Sequence, residues 1–289
     1  MPAGGLAPPA PVVGCEAVPE LPEVETVRRS LAPHLVGRRV ESVEARAVKL
    51  REGIEPRQWR RLERTRIEAL ERRGKYLIAH STRAAAVFHL GMSGRLALAR
   101  AWDPRAPHTH LVIRLEGGLE VRLIDPRRFG VAVVLDPAAL AAHPGLALLG
   151  ADPLGPDAGQ ALAAGARSRS PIRSVLLDQT VLAGLGNIYA NEALALAGIA
   201  PLRRADRVSA RRIEALAAAV RQVLAAALDA GGTTLADGGF VDAAGAGGTF
   251  AVSLAVYGRE GEPCGRCGGT IVRRVLAGRS AFYCPRCQR

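Results

Sequence analysis

Four cysteines near the C-terminus offer the clearest chemistry in the chain: Cys264-x2-Cys267 and Cys284-x2-Cys287, with sixteen residues between the pairs. This spacing matches a zinc ribbon, in which each pair gives two thiolates to one tetrahedral Zn2+. Two disulfides would use the same residues, but nothing marks an oxidising compartment, so the spacing favours a structural zinc with no open ligand position. Six arginines and no Asp or Glu follow Cys264, which leaves the segment cationic and suited to phosphate. The second signal is lysine usage. Of 39 basic side chains only Lys49 and Lys75 are lysines. The Ala-, Gly- and Arg-rich composition lets exposed lysines drift to arginine, so a retained lysine hints at a place where an amine that can lose its proton matters; guanidinium stays charged. From spacing alone, Lys75 after Arg72 and Arg73 also reads as a solvated phosphate contact.

These groups need elements to hold them. A chain of 289 residues with 48% apolar content can build two or three modules around real cores. Its net charge of +12 suits a polyanionic partner, although an anionic membrane or simple solubility would account for it too. No apolar run approaches the roughly 20 residues of a membrane helix. From Pro22 a helix is expected, with Glu23 and Glu25 in its first turn, Arg28 and Arg29 later, and Val24, Val27 and Leu31 on one face. Residues 38 to about 135 read as short strands with turn residues between them, including a hairpin of Leu111–Leu115 and Leu119–Ile124 around Gly117-Gly118. The Ala-, Pro- and Gly-rich stretch from about 136 to 165 reads as a boundary. Beyond it Ser209 could cap a long helix with a stripe of Ile213, Leu216, Val220, Val223, Leu224 and Leu228, ended by Gly231.

Five separated motifs together resemble the formamidopyrimidine-DNA glycosylase family: Pro19-Glu20-Leu21-Pro22-Glu23, Arg73-Gly74-Lys75-Tyr76-Leu77, His89-Leu90-Gly91-Met92-Ser93-Gly94, Asp125-Pro126-Arg127-Arg128-Phe129-Gly130 and Gly184-Leu185-Gly186-Asn187-Ile188-Tyr189-Ala190, followed by the cysteine module. The resemblance spans 19–289. It implies an α+β protein: an antiparallel β-sandwich with an N-terminal helix (19–150), a linker (151–165), a helix–two-turn–helix domain with a lesion loop (166–257) and a zinc finger (258–289). It implies a monomeric bacterial enzyme of the cytoplasm, associated with the nucleoid. Such an enzyme acts on double-stranded DNA with oxidised bases or abasic sites, with one structural Zn2+ and no membrane partner. By the same resemblance Pro19 is the nucleophile, Glu20 the adjacent acid/base, Lys75 a catalytic cation, and Arg279 the arginine that assists the second elimination. Glu23 lies near the lesion pocket. Met92, Arg127 and Phe129 fill the hole left by an extruded base, and His108 and Asn187 contact DNA. Ser168 stands where the family has a basic contact, so Arg169 or Arg173 is expected to compensate. The Gly184–Ala190 turn is expected to bring backbone amides to a phosphate, and the 240–250 loop to be flexible, offering the lesion mostly backbone groups.

The position of Pro19 limits the chemistry. A terminal proline has a secondary amine that can form an iminium ion at a sugar carbon, whereas a proline inside the chain has only an amide nitrogen. Residues 1–18 have no helical or strand periodicity and include an unpartnered Cys15. The expectation is that Val18 is the true initiator, read as Met and then removed to free Pro19. An endonuclease VIII-like preference for oxidised pyrimidines, or a non-catalytic damage-binding protein with a blocked amine, are the alternatives.

Overall fold

The computed structural model describes residues 18–46, 49–234 and 240–289; the expectations for residues 1–17 lie outside them. The chain opens with α1 (Leu21–Leu35), whose start carries Pro22 in its first turn and Glu20 at the N-cap, where the Glu20 N–H donates to the Glu23 carboxylate at 2.9 Å. Strands then alternate with turns: β1 (Val40–Ala45), a short α2 (Pro56–Trp59), β2 (Ile67–Arg73), β3 (Tyr76–Ser81), β4 (Ala85–His89), β5 (Arg95–Arg100), β6 (Thr109–Leu115), β7 (Leu119–Ile124) and β8 (Val131–Leu135). They form two four-stranded sheets, β1-β6-β7-β5 and β2-β3-β4-β8, with every pairing antiparallel. The β6–β7 hairpin turns at Gly117 and Gly118, both at positive φ.

The inner faces of the sheets share one core with Val24, Val27, Leu31 and Leu35 of α1. Leu21, one turn earlier, belongs instead to the helical core. Thus α1 is the strut between the two halves. The outer face of β7 buries Glu120 and Arg122, 0% and 3% exposed. Glu120 accepts from Arg122 (2.8 Å) and Arg114 (2.7 Å), while Arg122 also donates to the carbonyls of Arg100, Asp103 and Pro104. That pair fixes the loop leading to His108.

The stretch expected as a boundary is partly helical. It contains α3 (Pro144–Ala147) and α4 (Ala158–Gly165), and Ala158 and Leu162 of α4 join the helical core, because alanines with one leucine suffice to pack a short helix on a neighbour. Next come α5 (Ile172–Leu177), α6 (Asn187–Leu196) and α7 (Ala210–Asp229). The stripe of α7 is buried from Ile213 to Leu224, and Gly231 ends it at positive φ. Ser209 occupies the N-cap, but its hydroxyl makes no capping hydrogen bond. Strands β9 (Val272–Leu276) and β10 (Arg279–Tyr283) close the chain as a hairpin, turning at Ala277-Gly278 with both residues at positive φ. No helix among the described residues is long and apolar enough to cross a membrane.

Glu120→Ala strands Arg122 as a buried unpaired cation. The expected loss of stability is on the order of 3–5 kcal/mol, read as a fall in thermal midpoint. A shift within error would mean that Arg122 is neutralised elsewhere.

Candidate active site

Three chain segments meet at the junction of the two halves. The Leu21 amide donates to the Gly184 carbonyl at 3.0 Å, tying the start of α1 to the turn before α6. Glu20 lies under that turn, 3% exposed. Its Oε1 accepts the Ile188 N–H at 2.9 Å, and its Oε2 is buried with no partner among the described residues. The close approach depends on Gly186, where a Cβ would fall 2.2 Å from the Glu20 Cδ. Burial pushes the Glu20 carboxyl up to about 7, against the pull of Lys75 and the α6 backbone amides. The carboxyl can therefore both give and take a proton near neutrality.

Lys75 occupies the tip of the β2–β3 hairpin. Arg73 pairs with Tyr76, leaving Gly74 (φ +57) and Lys75 as a two-residue turn with glycine first. Arg72 braces this tip: its guanidinium donates to the Gly74 carbonyl (3.2 Å) and pairs with Asp152 (2.6 Å) and Glu25 (3.4 Å). The Lys75 ammonium makes no hydrogen bond among the described residues. Desolvation lowers its pKa, Glu20 and Glu23 hold it up, and Arg279 opposes them. Arg279 begins β10, directly after the other two-residue turn.

Both cations face one open cleft of about 600 Å³, lined also by Val18, Arg51, His89, Met92, Phe129 and Leu148. Pro19, buried, follows directly on Val18. His89 packs edge-on to Tyr76, and burial followed by Lys75 and Arg51 lowers its pKa to about 4, so the ring is neutral. Its Nδ1 accepts the Gly91 N–H at 3.0 Å, which leaves the proton on Nε2. Phe129 is 45% exposed, with Arg127 stacked 5.1 Å from its ring centroid. Asp125, fully buried, supports this loop by accepting from Ser93 Oγ (2.7 Å) and the Gly130 N–H (2.9 Å). Gly91 makes room for it, since a Cβ there would sit 2.5 Å from the Phe129 carbonyl carbon.

The remaining site residues are spread around this centre. His108 is exposed at φ +63, and Arg169 is exposed on the loop before α5. Asn187 is half-buried in the first turn of α6. Glu23 is 2% exposed and saturated: it accepts from Glu20 N (2.9 Å), Thr233 N (2.8 Å) and the Tyr189 hydroxyl, and does not line the cleft. Two expectations change here. The Gly184–Ala190 amides are partly spoken for, Gly184 N–H by Gln179 and Ile188 N–H by Glu20. The 240–250 loop is folded onto the sandwich, because Phe240 and Ala243 enter its core and Leu98 N–H donates to the Ala243 carbonyl at 2.8 Å. Arg51 and Gln179 line the cleft without any motif having marked them.

The four cysteine Sγ atoms lie within 4.8 Å of one another, with Cys264–Cys287 at 3.9 Å and Cys267–Cys284 at 3.5 Å. Disulfide sulfurs would be about 2.0 Å apart, whereas tetrahedral thiolates at the usual Zn–S length stand about 3.8 Å apart. The residues fit, and the module holds one structural zinc.

Comparison with known proteins gives three matches in order. Formamidopyrimidine-DNA glycosylase N-terminal domain matches residues 18–132, formamidopyrimidine-DNA glycosylase H2TH domain 149–238, and zinc finger found in FPG and IleRS 261–289. Formamidopyrimidine-DNA glycosylase of Stenotrophomonas maltophilia (strain R551-3) is 46% identical over 275 residues, covering 94% of this chain and all of the relative. The crystal structure of MutM (Fpg) from Thermus thermophilus is 39% identical with a TM-score of 0.83, over 93% of this chain and 98% of that one. A Lactococcus lactis Fpg mutant bound to Fapy-dG DNA is 33% identical with a TM-score of 0.85, over 94% and 100%.

Gly186→Ala places a methyl group where the Glu20 carboxyl sits. The side chain is expected to leave its seat, so its titration near pH 7 moves down toward the ordinary carboxylate range, followed by carboxyl-carbon NMR. An unmoved titration would show that burial under this turn does not set the shift.

Proposed function

The chain belongs to the formamidopyrimidine-DNA glycosylase family, and from that membership we propose how its cleft acts on damaged DNA. The protein is a DNA glycosylase of base excision repair, of a kind that also cleaves abasic sites. Its substrates in this reading are oxidised purines in duplex DNA, chiefly 8-oxoguanine and ring-opened formamidopyrimidines. It works as a monomer in the bacterial cytoplasm. The observation that carries the reading is the single cleft that gathers Val18 beside Pro19, the uncommitted Lys75, Met92, Phe129 and Arg279 from separate parts of the chain.

The lesion base leaves the stack, and Met92, Phe129 and Arg127 fill its place. The Phe129 face and the Met92 thioether replace stacking, while Arg127 donates to the orphaned partner base. The Pro19 nitrogen, free at a chain terminus, bonds to C1′ as the bond from C1′ to the base breaks; the base leaves with the bonding pair and is neutralised by a proton, while the nitrogen loses its own proton and regains a lone pair. Glu20 then gives its proton to the ring oxygen as the sugar opens, leaving an iminium ion on proline. Loss of a C2′ proton expels the 3′ phosphate, and a second elimination expels the 5′ phosphate beside Arg279. Lys75 supplies positive charge at the sugar and a proton that an arginine would not release. The match to the family's N-terminal domain starts at Val18, which supports a working chain that begins at Pro19.

Two experiments test the assignments. Lys75→Arg is expected to bind lesion duplex normally while excising 8-oxoguanine at least ~100-fold more slowly; wild-type rates would reduce Lys75 to a phosphate contact. Intact mass of the endogenous protein, paired with borohydride trapping on lesion DNA, is expected to give a chain starting at Pro19 and an adduct on that residue. An adduct elsewhere would remove Pro19 from the mechanism, and no adduct on an extended chain would favour a damage-binding protein.

A further inference from the structure

A buried cation lies beneath the point where the helical part and the zinc hairpin meet. Arg173 of α5 is 1% exposed, and no carboxylate among the described residues pairs with it. Its Nη2 donates both to Asn187 Oδ1 and, at 3.0 Å, to the Ser280 carbonyl next to Arg279; its Nε has no partner. Burial, then Arg279, lowers its pKa to about 10, so the group remains charged at neutral pH. At that depth Arg173 cannot replace the surface contact missing at Ser168.

The consequence falls on Asn187. A carboxamide has one acceptor end and one donor end, and its hydrogen bonds decide which faces out. Asn187 Oδ1 receives Arg173 and also Asn191 Nδ2 at 3.2 Å, so the acceptor end is turned inward. Asn187 Nδ2 has no bond among the described residues and is open to solvent, so donor hydrogens face outward. The reverse orientation would aim a carbonyl oxygen at an incoming phosphate. Asn191 Oδ1 accepts the Phe282 N–H at 2.8 Å, so the same cluster fastens β10 to α6.

We propose that Arg173 is a positioning residue for the DNA grip: anchored on the Ser280 carbonyl, it holds Asn187 with its donor end outward, so that the amide meets the strand already oriented. The proposal rests on the reading of Asn187 as a DNA contact. A neutral residue of similar length, such as Met, would leave Asn187 held only by the longer Asn191 bond and free to turn its oxygen outward. A lysine could still donate to Oδ1.

The test measures binding to duplex DNA carrying a tetrahydrofuran abasic analogue, across salt concentrations, with zinc content checked for each variant. Asn187→Ala and Arg279→Ala are each expected to weaken binding ~10-fold, and Arg279→Ala also to lower the salt slope by about one unit. Arg173→Met is expected to weaken binding about as much as Asn187→Ala, to leave the salt slope unchanged, and to add less than ~2-fold when combined with it. Arg173→Lys is expected to bind within ~3-fold of wild type. Wild-type binding by Arg173→Met, or losses that multiply in full with Asn187→Ala, would overturn the proposal while leaving the interface reading intact. Wild-type binding by both Asn187→Ala and Arg279→Ala would overturn the interface reading itself. Should Arg173→Met lose zinc or fail to fold, Arg173→Lys decides: a loss as large as that of Asn187→Ala and multiplicative with it overturns the proposal.

Discussion

The site depends on keeping one carboxyl dry. Glu20 sits under the glycine turn with one oxygen on the Ile188 amide and the other unpartnered, and this is possible only where the sandwich and the helical part close on each other. The N-terminus of α6 offers partial positive charge that would favour a carboxylate. Burial outweighs it and leaves the group poised near neutrality. Because α1 places Leu21 in one core and Val24 to Leu35 in the other, loosening either core would wet this carboxyl. Stability and proton transfer are therefore coupled through the first turn of one helix.

The two cations of the cleft are delivered in the same way. Lys75 and Arg279 lie on two-residue hairpins, which hold a side chain at the end of a paired ladder with little backbone freedom. Long basic side chains lose much rotamer entropy when fixed, so a rigid base limits what must be ordered at binding. The supports differ in kind. Under the Lys75 tip Arg72 reaches the Gly74 carbonyl and is balanced by Glu25 and Asp152, whereas under Arg279 the buried Arg173 has no acid partner.

Much of this was legible in the chain. The cysteine spacing fixed the ligand set, and Gly117-Gly118 marked a hairpin that forms in register. Two motif glycines prove to be close approaches, Gly91 against the Phe129 loop and Gly186 against Glu20, which the sequence alone did not disclose. Periodicity and turn chemistry report local geometry, so they found α7 and missed α4, whose small residues carry little stripe. The 240–250 segment looked flexible because Ala and Gly dominate it; its order comes from Phe240 and Ala243 docking on strands distant in sequence. Arg173 read as a surface contact because nothing local distinguishes a buried arginine from an exposed one. Its burial is set by residues as far along the chain as Ser280.

That last case bears on how such a basic chain uses its charge. Exposed arginines act at a distance and are screened by salt, so they bring DNA close without orienting it. Lys75 is desolvated at a fixed hairpin tip, where an anion would meet it with less reorganisation. Lys75 and Arg279 oppose each other's charge, with Glu20 and Glu23 beside Lys75, and Arg173 lies buried near Arg279 with no carboxylate partner among the described residues. A like-charged cluster of this kind would be a poor choice for stability alone. It suits a protein whose partner, DNA, is itself a polyanion.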